Sequence, residues 1–199
     1  MRNLTLLTDF YEITMGYGFF KQKKHEEEVV FDIFFRQNKM ITYSLFAGLE
    51  QAMDYLLNWH FSEDDIAYLR SLNTFDEEFL EYLKNMEFGL RRAQGPDAGI
   101  YGARAAIIGG CRSTSNVITG QMFDVPVAGT MAHSWVMDYA SEYEAFKAYA
   151  KVYPDNCLLL VDTYDTLHSG IPNAIRVFKE LRAEGHEPVG IRLDSGDFA

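Results

Sequence analysis

Three polar pairs recur at a constant interval along this chain, and no other feature constrains its fold as strongly. Each pair follows a short apolar run, and stretches with helical spacing separate the runs. Corresponding members of successive pairs lie 32 residues apart, an interval typical of one β/α unit. The pattern predicts an α/β fold with these side chains just beyond strand ends, where such folds place their active sites. The pairs are Thr130 with His133, Asp162 with Asp165, and Asp194 with Asp197.

Hydrophobic spacing and capping residues predict the remaining elements. Ser62 and Ser141 precede acidic residues and are predicted to begin helices, Ser141 with Glu144 as a capping box. Thr5 or Thr8 is the predicted cap of the first helix. Strands are predicted at residues 29–36, 126–129, 158–161 and 189–193. Other helices are predicted near residues 5–20, 45–59, 76–85, 99–108, 115–121 and 171–184.

Charge and cysteine content argue against several classes of protein. A net charge of −11 and an isoelectric point near 4.8 disfavour a general nucleic-acid binder, which needs clustered Lys and Arg. Cys111 and Cys157 have neither metal-site spacing nor disulfide density, which favours a reducing compartment. No stretch approaches the roughly 20 apolar residues that a membrane span requires. We therefore expect a cytoplasmic protein that binds neither nucleic acid nor membranes.

Aspartates at strand ends suit two kinds of chemistry. They hold Mg²⁺, often through waters, or accept hydrogen bonds from sugar hydroxyls. The alternative is that they cap helices or form turns, and it is strongest for Asp165 and Asp197. Repetition favours a functional role for Asp162 and Asp194. If Asp194 faces a ligand, Arg192 points to the same side, where a bound acidic ligand is a suitable partner for a buried guanidinium.

Four positions need separate interpretation, namely His133, Arg91, Arg92 and Tyr11. His133 follows a strand end, where a histidine acts as general acid or base, as a nucleophile, or as a loop residue that donates one ring proton. Arg91 and Arg92 lie in a Gly-rich stretch and suit phosphate or carboxylate recognition, with surface ion pairs as the alternative. Tyr11 on the first predicted helix is interpreted as a core residue, because most aromatic side chains on helices lie in the core.

Several separate motifs together resemble the nicotinate phosphoribosyltransferase family, and they occur in the family's order. The motifs with the arginine pair and with the histidine are specific to the family. The agreement covers nearly all of residues 88–199 and much of 1–86. The motifs are TDFY at 8–11 with Met15, FGLRRAQGPD at 88–97, TSN at 114–116, GTMAHSW at 129–135, VDTYD at 161–165 and RLDSGD at 192–197.

The resemblance implies a reaction and a set of site residues. The family is a ligase and glycosyltransferase that joins nicotinate to 5-phosphoribosyl 1-pyrophosphate, giving nicotinate mononucleotide and pyrophosphate in NAD salvage. Transfer is coupled to ATP hydrolysis through a phosphorylated histidine, which corresponds to His133, and Asp194 is expected to take part in catalysis. Substrate contacts are expected at Tyr11, Arg91, Arg92, Thr130, Asp162 and Arg192.

Cofactors and partners follow from the same resemblance. Mg²⁺ is the implied metal and ATP the implied co-substrate. Asp194 and Asp197 are expected near Mg²⁺, which they would hold through water or pyrophosphate. The family is dimeric, so we expect a homodimer in which Tyr11 acts across the interface.

The resemblance further implies a partial type II phosphoribosyltransferase fold. We expect residues 1–86 to form an incomplete N-terminal α/β sandwich domain and residues 87–199 the first part of an incomplete (β/α) barrel. Between Met86 and Phe88 the family has several dozen further residues. Beyond Ala199 it has later barrel strands and the loops that bind the 5′-phosphate.

Two alternatives to an active nicotinate enzyme stay open. A catalytically inactive fragment would act as a binding or partner module. A sister transferase would use nicotinamide or quinolinate, although Arg192 and the histidine motif favour nicotinate.

Overall fold

The computed structural model describes residues 3–28, 47–48, 50, 53, 60–83 and 96–195, which are mostly helical with one small parallel sheet. Within these residues no helix is long and apolar enough to cross a membrane. The predicted strand at 29–36, most of the predicted helix at 45–59, Arg91, Arg92 and Asp197 lie outside the described residues. The elements are α1 (Phe10–Lys21), α2 (Glu63–Ser71), α3 (Glu77–Leu83), α4 (Pro96–Ile108), α5 (Val117–Phe123), α6 (His133–Met137), α7 (Glu142–Val152), β1 (Leu158–Leu160), α8 (Ile171–Ala183) and β2 (Gly190–Arg192).

The first helix begins later than the sequence predicts. It starts at Phe10, and neither Thr5 nor Thr8 caps it, since Asp9 occupies the cap position without a side-chain hydrogen bond. Two backbone N–H groups at the start of α5 donate to the carbonyls of Leu6 and Thr8, at 2.7 and 2.9 Å. Because these long-range bonds hold the preceding segment against α5, the helix cannot extend back to residue 5.

The predicted serine caps are confirmed at the starts of α2 and α7. The Oγ of Ser62 accepts from the backbone N–H of Asp65 (3.2 Å), and the Asp65 carboxylate accepts from the N–H of Ser62 (2.9 Å). The Oγ of Ser141 accepts from the N–H of Glu144 (3.3 Å). Each serine thus satisfies an N–H group that has no partner inside its helix.

β1, α8 and β2 form one β/α/β unit, as the repeat predicts. β1 and β2 are parallel, with Leu158 opposite Gly190 and Leu160 opposite Arg192. The prediction of a strand at 126–129 is wrong within the described residues, where this run makes only a bridge between Val127 and Thr114. The run is paired with Thr114, whose N–H donates to the Pro126 carbonyl and whose carbonyl accepts from the Ala128 N–H (both 3.0 Å), and in the described part of the chain no ladder continues beyond this bridge. Two strands do not define a barrel, so the incomplete barrel stays a prediction.

In the part of the chain that the structure describes, buried apolar residues form two clusters, and α1 contributes to both. Met15 packs in the first cluster with Trp135 and with buried residues of α7, β1 and α8. Phe10 and Ile13 pack in the second cluster with residues of α2, α3 and α5. α1 therefore links the helices near the start of the chain to the β/α/β unit. The domain division at residues 86 and 87 stays a prediction.

Candidate functional site

Polar side chains from three separate stretches come together beyond the ends of β1 and β2. Parallel pairing places Asp162 and Asp194 after neighbouring strand ends. His133, at the start of α6, lies against Asp194, with its Nε2 3.7 Å from the carboxylate. Arg192, the last residue of β2, donates to the hydroxyl of Thr130. Four of the six residues of the repeat therefore lie in this region, as the sequence predicts.

Arg192 is held by one side-chain and one backbone oxygen. Its Nη1 donates to the Oγ1 of Thr130 (2.9 Å), and its Nη2 donates to the carbonyl of Met131 (2.8 Å). The Asp194 carboxylate lies 4.0 Å from Nη2. The Nε is buried and makes no hydrogen bond within the described residues. The guanidinium lines the cavity and the side chain is 27% exposed, so an anionic ligand can reach N–H donors beyond those that hold Thr130 and Met131.

The two ring nitrogens of His133 face different groups. The Nδ1 lies 3.1 Å from the Oγ1 of Thr163, and the Nε2 lies 3.7 Å from the Oδ2 of Asp194. About a third of the side chain (35%) is exposed, so a ligand can approach the ring. A hydrogen bond to one nitrogen fixes the ring and leaves the other nitrogen for chemistry.

The carboxylate of Asp162 holds the segment that carries Asp194. Its Oδ2 accepts from the backbone N–H groups of Asp194 and Ser195 (both 2.7 Å) and from the Ser195 hydroxyl (2.9 Å). Burial raises the pKa of Asp162, but these hydrogen bonds and the charge of His133 outweigh burial, so the pKa lies below its usual value. Asp162 therefore stays ionised near neutral pH and fixes the start of the loop after β2.

Asp165 lies in a turn rather than in the site. Its carboxylate accepts from the N–H groups of Leu167 and His168 (3.1 and 2.9 Å) at the start of a π-helical turn, Thr166–Gly170. The bond from the His168 N–H is the main reason why the pKa of Asp165 lies below its usual value. Of the two interpretations that the sequence allows, the structure supports turn chemistry at this position.

A cavity of about 260 Å³ lies between the start of α1 and the side chains of His133, Arg192 and Asp194. Gly129 allows the close approach, because a Cβ at this position would lie 2.7 Å from the backbone nitrogen of Tyr11. The Ser115 hydroxyl donates to Asp9 (2.5 Å) and fixes the same region. The cavity is lined by Tyr11, Ser115, Ala128, Gly129, Ala132, His133, Arg192 and Asp194.

A larger cavity of about 480 Å³ shares part of this wall. Arg192 and Gly129 line both cavities, but the larger one is otherwise bordered mainly by apolar and aromatic side chains, among them Tyr149 and Leu158. Neither His133 nor Asp194 lines it. The smaller cavity therefore brings together more of the groups that carry chemistry.

Sequence reasoning missed three residues of this site. Thr163 contacts the histidine, Ser115 and Gly129 line the cavity, and none of the three was singled out for chemistry. All three lie inside motifs that resemble the family, which is the signal that could have found them. Their roles depend on side-chain direction and close approach, which sequence spacing does not report.

The described residues contain no group of three or more His, Cys, Asp or Glu side chains placed to hold a metal ion. Asp194, whose side chain is 57% exposed, is a carboxylate at the cavity that can reach a hydrated cation. One carboxylate supplies only part of the oxygen ligands that Mg²⁺ takes, so water or ligand oxygens would have to supply the rest.

Comparison with known proteins gives the same family for both halves of the chain. The model of the nicotinate phosphoribosyltransferase N-terminal domain matches residues 6–108, and the model of the nicotinate phosphoribosyltransferase family matches residues 83–199. Nicotinate phosphoribosyltransferase of Bacillus subtilis is 37% identical over 99% of this chain and 53% of its own length. The Dictyostelium discoideum enzyme of that name is 29% identical over 98% of this chain and 51% of its own length. The chain thus spans about half the length of these curated relatives.

The alignment with the Bacillus protein is longer than the chain. It extends over 263 positions, while 99% of 199 residues is about 197, so about 66 positions have no counterpart here. This agrees with the expected missing segment, whose location between Met86 and Phe88 stays a prediction.

Solved structures show the same fold. Human nicotinic acid phosphoribosyltransferase matches 96% of this chain and 61% of its own, with a TM-score of 0.50 and 25% identity. Nicotinate phosphoribosyltransferase from Vibrio cholerae matches 97% of this chain and 66% of its own, with a TM-score of 0.60 and 16% identity.

Proposed function

The chain belongs to the nicotinate phosphoribosyltransferase family, and from that premise we propose that it forms nicotinate mononucleotide and pyrophosphate from nicotinate and 5-phosphoribosyl 1-pyrophosphate. The observation that carries the proposal is the guanidinium of Arg192, which Thr130 and Met131 hold at the wall of the cavity. Transfer is coupled to ATP hydrolysis through His133. The chain is then a ligase as well as a glycosyltransferase in NAD salvage.

Nicotinate binds beside Arg192 in this proposal. Its carboxylate accepts from the guanidinium N–H groups that Thr130 and Met131 leave unused. The hydroxyl of Thr130, which borders the adjoining larger cavity, accepts from the guanidinium and fixes it for this contact. Tyr11, which the sequence led us to expect across a dimer interface, lines this cavity within the same chain, and its ring is proposed to contact the pyridine. A planar anion fits this combination of a planar cation and an aromatic ring.

His133 receives the phosphate of ATP in the coupled step. Its Nε2 is on the cavity side, and its Nδ1 is engaged by Thr163. The nitrogen lone pair forms the new bond to phosphorus while the bond from phosphorus to the departing ADP oxygen breaks. Hydrolysis of the resulting phosphohistidine returns the free histidine.

In the transfer step the bond from the ribose C1 to pyrophosphate breaks and a bond from C1 to the pyridine nitrogen forms. Positive charge develops at the ribose, and the carboxylate of Asp194 at the cavity stabilises it. Asp162 keeps Asp194 in place, and its second oxygen has no partner within the described residues, which suits a ribose hydroxyl donor.

Negative charge develops on the leaving pyrophosphate. Arg91 and Arg92 are proposed to contact it, because paired guanidinium groups suit phosphate oxygens. Mg²⁺ would supply further positive charge to this group when bound, and Asp194 and Asp197 are the residues that would hold it.

The larger assembly belongs to the same proposal. Residues 87–199 are proposed as part of a (β/α) barrel, residues 1–86 as part of an N-terminal α/β domain, and the chain as one subunit of a cytoplasmic homodimer. The parallel β/α/β unit and the shared fold support the barrel.

A product assay tests the proposed function. Purified protein is incubated with labelled nicotinate, 5-phosphoribosyl 1-pyrophosphate and Mg-ATP, and nicotinate mononucleotide is measured by chromatography. We expect product, and we expect His133→Ala to lower ATP-coupled formation by about a hundredfold or more. His186→Ala is the matched control, because His186 pairs with Asp155 away from the cavity. The absence of product, or full activity of His133→Ala, contradicts the proposal.

A second candidate function is that of a binding module that acts with a partner chain. The observation that favours it is the set of about 66 aligned positions that the Bacillus enzyme has and this chain lacks, 263 minus about 197. In that case the protein binds nicotinate but forms product only beside a complementary chain. Native mass spectrometry of the protein isolated from its own cells, combined with the product assay, separates the two candidates.

A further inference from the structure

Thr163 is the side chain that faces the second ring nitrogen of His133. It follows Asp162 directly after β1, and its Oγ1 lies 3.1 Å from the Nδ1 of the histidine. The histidine belongs to α6 and the threonine to the strand end 30 residues later, so the contact joins two elements of the site. Thr163 is not a member of the 32-residue repeat, so the repeat predicts no role for it.

The contact matters because a neutral imidazole has one N–H donor and one acceptor nitrogen. When the Nδ1 carries the proton, the Nε2 has a free lone pair and attacks phosphorus without first losing a proton. When the Nε2 carries the proton, that proton has to leave before a stable N–P bond forms. The tautomer of His133 therefore decides how readily the ring becomes phosphorylated.

The charged groups around the ring do not favour the reactive tautomer by themselves. The carboxylate of Asp194 lies 3.7 Å from the Nε2 and attracts a proton to that nitrogen. Asp162 also interacts electrostatically with the ring, and Arg192 lines the same cavity. A hydrogen-bond acceptor at the Nδ1 is needed to oppose Asp194, and the oxygen of Thr163 is within reach.

We propose that Thr163 is a positioning residue that accepts the Nδ1–H of His133 and so keeps the Nε2 as the phosphate-accepting nitrogen. The phosphate part of this inference rests on the proposed function, whereas the tautomer is a property of the free protein. During transfer the proton stays on the Nδ1, hydrogen-bonded to the Oγ1 of Thr163, while the N–P bond forms at the Nε2 and the P–O bond to ADP breaks.

The first test is the tautomer of His133 in the ligand-free full chain. Long-range proton–nitrogen NMR of histidine-labelled protein above the imidazole pKa distinguishes Nδ1–H from Nε2–H, and His133→Gln identifies the signals. We expect Nδ1–H in the unmodified protein and in Thr163→Ser, which keeps the hydroxyl. We expect a shift toward Nε2–H in Thr163→Val, which has nearly the same shape without it. An Nε2–H tautomer in the unmodified protein overturns the inference without any variant.

The second test uses Mg-ATP and phosphorus NMR of the same three proteins. We expect phosphate on the Nε2 of the unmodified protein, with phosphorylation about tenfold slower in Thr163→Val and near normal in Thr163→Ser. Equal rates and the same tautomer in all three proteins overturn the role of Thr163. If the tautomer shifts as expected but no protein makes nicotinate mononucleotide, the proposed function fails while the tautomer assignment stands.

Discussion

At the scale of single residues, Arg192 is the side chain that we propose selects the ligand of the cavity. Its two Nη atoms hold Thr130 and Met131, and its Nε is left without a partner within the described residues. A lysine cannot make both contacts and still offer a planar pair of donors to a carboxylate. We expect Arg192→Lys to weaken nicotinate binding by about ten- to a hundredfold, measured by isothermal titration calorimetry.

The matched control for this substitution is Arg182→Lys. Arg182 pairs with Glu187 on the surface, so the same chemical change there should leave nicotinate affinity unaltered. Nicotinamide and quinolinate serve as competitors that distinguish the sister transferases. Unchanged nicotinate affinity in Arg192→Lys, or tighter binding of nicotinamide to the unmodified protein, contradicts the assignment of Arg192 to the nicotinate carboxylate.

Individual site residues were predictable from sequence only in part. The 32-residue interval correctly indicated that His133, Asp162 and Asp194 would come together, and Arg192 joins Thr130 to the same region. The interval could not separate Asp165, which caps a turn, from its counterpart His133, which lies in the site. It also could not show that Thr163 rather than an aspartate faces the Nδ1 of His133, because that depends on side-chain direction after the strand.

At the scale of elements, the π-helical turn between β1 and α8 depends on a glycine. A Cβ at Gly170 would lie 1.9 Å from the carbonyl oxygen of Val161, so the backbone must move to accept any other residue. Val161 directly precedes Asp162, and a shift there reaches the site. We expect Gly170→Ala to lower the free energy of unfolding by about 3 kcal/mol in urea denaturation.

Gly102 provides the control for that glycine substitution. It lies on α4 with no heavy atom within 4 Å of an added Cβ. Alanine is the better helix former, so Gly102→Ala should be neutral or raise the free energy of unfolding by roughly 0.5–1 kcal/mol. Equal stability of Gly170→Ala and the unmodified protein would show that the turn tolerates a side chain.

Element boundaries follow from sequence where local chemistry sets them. The caps of Ser62 and Ser141 act within one helical turn, and Gly185 follows α8 with the positive φ (93°) typical of a helix stop. Where hydrogen bonds to a distant part of the backbone set the boundary of an element, sequence patterns do not predict it. α1 begins late because Leu6 and Thr8 bond to α5, and these partners lie more than 100 residues away.

At the scale of the whole molecule, buried hydrogen bonds join α1 to the β/α/β side of the core. The Thr14 hydroxyl donates to the carbonyl of Thr130 (2.5 Å), and the Tyr153 hydroxyl donates to the carbonyl of Thr14 (2.7 Å). Thr130 accepts the first of these bonds through its carbonyl and accepts from Arg192 through its hydroxyl. Packing of α1 is therefore coupled to the geometry of the cavity.

The first apolar cluster also sets how stability depends on pH. It contains the thiol of Cys157 and the phenols of Tyr149 and Tyr153. Burial raises the pKa of Cys157 to about 12 and raises the pKa values of both tyrosines. In the unfolded chain these groups ionise near their ordinary values of about 8.5 and about 10. Above those values the unfolded state holds fewer protons, so the free energy of unfolding falls as pH rises.

Cys157 allows this dependence to be measured, because its thiol ionises first in the unfolded chain. Between pH of about 8.5 and 10 it should lower the free energy of unfolding by up to about 1.4 kcal/mol per pH unit. Cys157→Ala should be less stable at neutral pH but show a shallower decline across this range in urea denaturation. Cys111→Ala, at an exposed thiol, should keep the full decline. Equal slopes in all three proteins would contradict a buried, protonated thiol, since only a group that ionises differently in the two states contributes to the slope.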